Sequence, residues 1–337
     1  MGSNSLRDRI VVVTGGSAGL GRATAVAFAK RGAHVAVLAR DPARLRDAEG
    51  EIAQFGGRVL ALPLDVADAQ AMHEAADEVE QKLGLIDVWV NNAMTTVFAP
   101  FEKIEPTEFK RVTEVTYLGM VYGTMAALKR MRRRDRGVIV QVGSALSYRS
   151  IPLQSAYCGA KHAVRGFTDS LRSELIHERS RIHVTMVQMP ALNTPQFDWC
   201  LSRMPRRSQP VPPIFQPEVG AEAIVWAATH RRRELYVAWP ALKTIVGNKL
   251  FPNLGDRLAA KQAWEGQMTK ELQSPSTSAN LFTPVKGRQG SHGRFDARAR
   301  AHSPEVWLSK HRSWLLPASL AVLGMGVAAL LSNRSAS

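Results

Sequence analysis

Residues 9–21 read Arg9-Ile10-Val11-Val12-Val13-Thr14-Gly15-Gly16-Ser17-Ala18-Gly19-Leu20-Gly21. The β-branched run at the start favours a strand, and the apolar spacing that follows, to Arg31, favours a helix. Between them, glycines permit a tight turn. They also let backbone N–H groups approach an anion at the helix start, where the helix dipole is favourable. Glycines alone would mark any tight turn. Set between a strand and a helix, they mark a loop that cradles a pyrophosphate, with Gly15, Ser17, Gly19, Leu20 and Gly21 facing it.

Outward from this loop, strand-like and helix-like stretches alternate. The strand-like runs are His34–Ala39, Val59–Leu64, Val88–Val90, Val138–Val142, His183–Gln188 and Leu235–Val237, and Pro106 is placed for the first turn of a helix. Strands that are apolar on both sides and separated by helices imply an α/β domain with a parallel sheet covered on both faces.

The chain has 337 residues, with Lys+Arg 44 against Asp+Glu 29, a net +15. Up to Leu128 there are 13 basic and 16 acidic residues; from Lys129 to Ala260 there are 21 and 9; the remainder has 10 and 4. The excess gathers in clusters such as Arg132-Arg133-Arg134, Arg206-Arg207 and Arg231-Arg232-Arg233, read first as solvated helix ends and next as a face for an anionic membrane. No aromatic residues interleave with them, so nucleic acid is not an expected partner. Two cysteines, Cys158 and Cys200, exclude a disulfide scaffold, and no Cys/His spacing suits a metal. Cys158 reads as a small buried hydrophobe.

The end of the second strand decides which nucleotide fits. An acidic residue there would bind both ribose hydroxyls of NAD, whereas this chain has Ala39 followed by Arg40, whose guanidinium suits the 2′-phosphate of NADP. Asp41-Pro42 reads as a helix N-cap with proline at N1. NADP(H) is therefore expected, with NAD(H) disfavoured. Asp65, Val66, Asn92 and Ala93 stand at strand ends lining the same crevice.

Two further motifs join these: Gly143-Ser144 at the end of a strand, and Tyr157-Cys158-Gly159-Ala160-Lys161 in a later helix. Together with the glycine loop and Asn91-Asn92-Ala93, they resemble the short-chain dehydrogenase/reductase superfamily, over about Leu6 to Ala260. The resemblance implies a doubly wound, seven-stranded parallel Rossmann-type sheet with the nucleotide at the carboxyl ends. Tyr157 and Lys161 lie four apart on one helical face. A nearby ammonium would lower the Tyr157 pKa from about 10 towards neutrality, making it a general acid/base for a carbonyl or secondary alcohol. Ser144 would stabilise the developing charge on the substrate oxygen. The resemblance further implies that Lys161 holds the nicotinamide ribose. It also places homo-oligomer contacts on the helices from Pro106 to Met131 and from Ser155 to Ile176.

There are departures. Met94 follows Asn-Asn-Ala where the family has glycine. Thr116 stands where the family has an asparagine that holds a water linking the lysine to solvent; its hydroxyl is the candidate substitute. Pro190-Ala191-Leu192-Asn193-Thr194 replaces Pro-Gly, with Pro190, Leu192 and Thr194 facing the nicotinamide end. From Thr194 to Gln216 a proline-rich stretch reads as an irregular lid, whose Arg203, Arg206 and Arg207 are candidates for an acidic substrate group, for solvation or for membrane contact.

The organisation expected is one catalytic domain at 6–260, an extension or linker at 261–309 and an apolar helix at 313–332. Gln273–Ser303 is aperiodic and rich in Ser, Pro, Gly, Gln and Arg, as weakly ordered chain would be. Trp314–Leu331 carries no charge over 18 residues, the lower length for a membrane span. Its basic N-terminal flank would leave the catalytic domain in the cytoplasm; docking on protein is the alternative. The function expected is an NADP(H)-dependent oxidoreductase acting on an apolar small-molecule carbonyl or alcohol. The competing reading is a membrane-tethered NADP-binding scaffold or redox sensor with little turnover.

Overall fold

The structure, a computed structural model, describes residues 5–237, 252–274, 278–287 and 289–310. The elements follow the expected alternation. They are β1 (Ile10–Thr14), α1 (Gly19–Ala29), β2 (His34–Ala39), α2 (Pro42–Ala53), β3 (Val59–Pro63), α3 (Ala69–Lys82), β4 (Ile86–Asn91) and the short β5 (Val97–Phe98). After these come α4 (Pro106–Thr113), α5 (Gly119–Met131), β6 (Val138–Ser144), α6 (Ser155–His177) and β7 (His183–Met189). The chain continues with α7 (Gln196–Trp199), β8 (Leu201–Ser202), β9 (Arg206–Ser208), α8 (Pro217–Thr229), β10 (Glu234–Tyr236) and β11 (Met268–Leu272).

The main sheet has seven strands in the order β10-β7-β6-β4-β1-β2-β3, every pair parallel. One face is covered by α1, α2 and α8, through residues such as Phe28, Leu45 and Ile224. The other is covered by α3, α5 and α6, through residues such as Val79, Ala127 and Leu171. The strand order reverses between β1 and β4, so the loops leaving these two strands part to opposite faces and open a crevice at their carboxyl ends. Asp41 caps α2, accepting from the N–H groups of Ala43 and Arg44 at 2.9 and 3.1 Å, with Pro42 in the first turn.

Between α4 and α5 the helix widens into a π-helical turn, Glu114–Leu118. Thr116 sits in it, fully buried.

The expectation of weakly ordered chain after Gln273 is corrected over the described residues. Directly after β11, which pairs antiparallel with β9, the Gln273 N–H donates to the Pro205 carbonyl at 3.0 Å. Leu281, Phe295 and Val306 are buried. The N–H of Asn280 donates to the Trp199 carbonyl at 2.9 Å, and those of Gly293 and Arg300 donate to the carbonyls of Asn193 and Ile214 at 3.2 and 2.9 Å. The extension thus makes several of its backbone hydrogen bonds to the rest of the chain, with one short turn of its own at Asp296–Arg298, so its order leaves no periodic trace in the sequence. The apolar stretch 313–332 lies outside the described residues. Among those described, no helix is long and apolar enough to cross a membrane.

The basic clusters of the second half are mostly paired. Arg203 meets Glu108 at 2.6 Å, Arg207 meets Glu271 at 3.0 Å, Arg206 meets Glu265, and Arg233 meets Asp169 at 2.6 Å. Each of the lid arginines Arg203, Arg206 and Arg207 is thus paired with a carboxylate of this chain, Arg203 with the buried Glu108.

Candidate functional site

The loop after β1 is shaped by contacts that only small residues allow. Gly15 has φ +66°, and a Cβ on it would lie 2.9 Å from the Ala93 Cα; a Cβ on Gly21 would lie 2.1 Å from the Gly15 carbonyl oxygen. The Thr14 hydroxyl accepts from the N–H groups of Asn92 and Ala93 at 2.9 and 3.1 Å. The Asn92 amide in turn donates to the Thr14 carbonyl at 3.0 Å. These bonds tie the loops after β1 and β4 into one rim. Ala18, at the N-cap of α1, supplies no side-chain acceptor, so the first N–H groups of this helix face the crevice without a side-chain cap.

A cavity of about 470 Å³ runs from this rim to the end of β6. Gly15, Ser17, Gly19, Leu20, Gly21, Arg40, Asp65, Val66, Asn92, Ala93, Ser144, Tyr157, Lys161, Pro190, Leu192 and Thr194 all line it. Thr116 does not.

At the β2 end, Arg40 has company that the sequence did not announce. Arg44 lines the same cavity, and the charges of Arg44 and Arg111 both act on Arg40. Burial and these two neighbours hold the Arg40 pKa below its ordinary value, opposed by Asp65. The Asp65 carboxylate is held by Arg111 and by the Ala67 N–H at 3.0 Å. Guanidinium groups from α2, α4 and the end of β2 thus crowd one region, an arrangement that suits a phosphate.

At the other end, Tyr157 and Lys161 rise from α6 beside the last residue of β6. The Lys161 ammonium is 1% exposed, donates to the Val142 carbonyl at 2.7 Å and lies 5.6 Å from the centroid of the Tyr157 ring. The Ser144 hydroxyl accepts from the Leu146 N–H at 3.1 Å and acts on Tyr157 to lower its pKa. Burial pushes the Tyr157 pKa up, against the lowering effect of Ser144, and it pulls Lys161 down to about 7. The expectation of a Tyr157 pKa lowered towards neutrality is thereby corrected: burial is the largest effect on both groups and penalises the charged form of each.

Thr116 departs from its expected place. Its hydroxyl accepts from the Thr95 N–H at 3.0 Å and donates to the Thr95 carbonyl at 2.9 Å. Both its capacities are spent holding the chain just after Met94, away from the cavity. Cys158 is buried, and burial raises its pKa, as suits a small hydrophobe.

Asn193 was missed as an organising residue. Fully buried, it receives the Phe295 N–H at 2.9 Å and donates to Gln216 and Asp296 at 3.0 and 2.8 Å. It thereby holds the Pro190–Thr194 segment in place. An asparagine inside that unusual Pro-Ala-Leu-Asn-Thr run was the available signal. Around the reacting end, the lining is largely apolar, with Met94, Phe98, Ile151, Phe197 and Val211.

A parallel doubly wound sheet, a glycine loop at its switch point and a Ser-Tyr-Lys group at one end of the same cavity define a nucleotide-dependent oxidoreductase. The sequence matches the family model for short chain dehydrogenases over residues 9–199. The chain belongs to this family, and is an oxidoreductase acting on CH–OH groups. It is 32% identical over 281 residues to a Bacillus subtilis protein called Uncharacterized oxidoreductase YxnA, covering 82% of this chain and 78% of that one. It is 36% identical over 192 residues to 3-dehydrosphinganine reductase of Danio rerio, a match over 56% of this chain and 57% of the relative. Among solved structures, an alcohol dehydrogenase from the archaeon Thermococcus sibiricus complexed with 5-hydroxy-NADP superposes with TM-score 0.58 at 28% identity. That match covers 68% of this chain and 95% of the other. A metagenomic short-chain oxidoreductase in complex with NADP gives TM-score 0.58 at 26% identity, over 69% and 96% of the two chains.

Proposed function

We propose that this chain uses NADP(H) to interconvert an apolar carbonyl compound and its secondary alcohol, with Tyr157 as the proton donor or acceptor. The observation that carries this is the Ser144–Tyr157–Lys161 group at one end of a cavity whose other end holds the glycine loop and Arg40. The residues fit the nucleotide: the rim cradles a pyrophosphate, the start of α1 has no side-chain cap, and Arg40 with Arg44 suits a 2′-phosphate where NAD would need a carboxylate. The NADP-type ligands of the two solved relatives accord with this choice.

When bound, the nicotinamide supplies or takes a hydride at the substrate carbon. The proton is the protein's task. Tyr157, its pKa raised by burial and lowered again by Ser144, holds its proton at neutral pH and is the group placed to exchange it with the substrate oxygen. Ser144, already an acceptor for the Leu146 N–H, has its own proton to donate to the same oxygen. Lys161, with a pKa near neutrality, is charged in part at pH 7 and would stabilise the phenolate left behind.

The apolar lining favours a substrate with a lipid-like body, and the relative named 3-dehydrosphinganine reductase accords with that class. The same reading has the stretch 313–332 tether a cytoplasmic catalytic domain to a membrane. It also has α4, α5 and α6 make homo-oligomer contacts, supported by exposed Met125 and Ile176; sedimentation velocity reads this directly.

Tyr157→Phe tests the core of the proposal. It should abolish NADPH oxidation with lipid-like ketones while leaving NADPH binding within about twofold, since the hydroxyl makes no bond to the nucleotide phosphates. Undiminished turnover in the variant would refute the role of Tyr157. No turnover by the wild type across a panel of ketones and alcohols would favour the scaffold instead.

A further inference from the structure

The extension beyond the family's matched segment contacts the very groups that would meet the nucleotide's phosphates. The N–H of Gly19, first residue of α1, donates to the Gly290 carbonyl at 3.0 Å. The Arg40 guanidinium donates to the carbonyls of Phe282 at 2.8 Å, Leu281 at 3.3 Å and Asn280. Arg111 also reaches the Leu281 carbonyl at 3.2 Å, and Arg22 reaches that of Gln289 at 3.2 Å. Asn280 and Pro284 form part of the cavity wall. Backbone carbonyls, each a partial negative charge, therefore stand where phosphate oxygens would otherwise be accepted.

An amide N–H has one hydrogen, so Gly19 cannot serve Gly290 and a phosphate oxygen fully at once. The Arg40 Nη1 likewise gives both its hydrogens to Leu281 and Phe282, and Nη2 gives one of its two to Asn280.

We propose that residues 280–287 and 289–290 are an intramolecular competitor of the nucleotide, occupying Arg40 and the first amide of α1 until NADP(H) displaces them. This rests on the NADP(H) reading above.

The exchange has a direction. A phosphate dianion binds a guanidinium more strongly than a neutral carbonyl does, so the 2′-phosphate can take Arg40 from the extension. NADH carries no such group and leaves those carbonyls in place, which widens discrimination between the two nucleotides. The segment stays tethered when displaced. On one side, strand β11 stays paired with β9, and the Gln273 N–H donates to the Pro205 carbonyl at 3.0 Å. On the other, Asp296 accepts from Asn193, Gln216 and His292. Rebinding is therefore intramolecular and fast. While the segment sits on the site, apparent nucleotide affinity falls in proportion to the fraction of molecules left open.

The test loosens the seated segment at Leu281, which packs with Val97, Ala99 and Val112, and its footing at Asp296, with Leu281→Ala and Asp296→Ala in the full chain. Binding of NADPH and of 2′,5′-ADP is measured by calorimetry, together with hydrogen exchange of residues 280–287 and 289–290. Each variant is expected to bind 2′,5′-ADP about fivefold more tightly than wild type, by freeing competent molecules. In the wild type, saturating NADPH is expected to speed amide exchange in these residues. Unchanged or weaker binding in both variants, or slower exchange on adding NADPH, overturns the competition and leaves the cofactor reading standing. If the wild type binds NADPH no better than NADH, the cofactor reading itself fails.

Discussion

Replacing Lys161 by methionine should make the nucleotide-free protein more stable at pH 6 than it is now, and inactive. Lys161 is 1% exposed, and burial lowers its pKa from 10.5 to about 7. That shift corresponds to a penalty of about 5 kcal/mol on the charged form, at ~1.4 kcal/mol per pH unit. The folded pKa is depressed, so the sign is fixed. Above pH 10.5 the lysine is neutral in both states and folding carries no penalty. As the pH falls towards 7, the unfolded chain takes up a proton that the folded chain refuses, and stability drops. Below about 7 both states are charged and the loss levels off. Between pH 9 and pH 6 the wild type should lose about 3 kcal/mol from this group. Methionine keeps an unbranched stem and has no charge. It gives up the bond to the Val142 carbonyl, about 1 kcal/mol at every pH. Urea unfolding of both proteins at pH 6 and pH 9 therefore isolates the effect: the stability difference should move by about 3 kcal/mol in the variant's favour at the lower pH. A difference that is the same at both pH values would refute the claim that Lys161 is held against its charge.

Arg40→Ala should weaken NADPH binding about tenfold or more without weakening NADH binding, read by fluorescence titration. Parallel losses for the two nucleotides would remove the 2′-phosphate assignment. Deleting residues 311–337 should shift the protein from membrane to soluble fractions without altering turnover of a water-soluble ketone; unchanged partitioning speaks against a tether.

Much of the fold was legible because it rests on local rules. A β-branched run, glycines that the backbone requires at positions 15 and 21, and helices with a capped or proline-led first turn each leave a mark within a few residues. Tyr157 and Lys161 were legible as a pair for the same reason, four residues apart in one helix. What escaped notice depends on meetings between distant segments. Arg111 joins Arg40 only because α4 passes the end of β2, and Asn193 matters only because Phe295 and Asp296 arrive beside it. The pKa of Tyr157 turned on how deeply α6 is packed, which spacing does not encode. The extension was misread because composition reports what a segment can bury by itself. Its few apolar residues, Leu281, Phe295 and Val306, are buried against other parts of the chain.

The wide turn at Glu114–Leu118 has a consequence for the two helices it joins. An α-helix advances about 100° per residue, so one additional residue accommodated in a π-helical turn rotates everything downstream by that angle. α5 is seated by Gly123, where a Cβ would lie 2.2 Å from the Asn91 Oδ1, and by Ala126 and Ala127 in the core. α4 is seated by Val112, packed with Leu281 in a different cluster. A straight helix aligned to satisfy one half would turn the other half's small residues away from their neighbours. The bulge acts as a phase shifter, allowing one long helix to present two differently angled faces, one to the sheet and one to the extension.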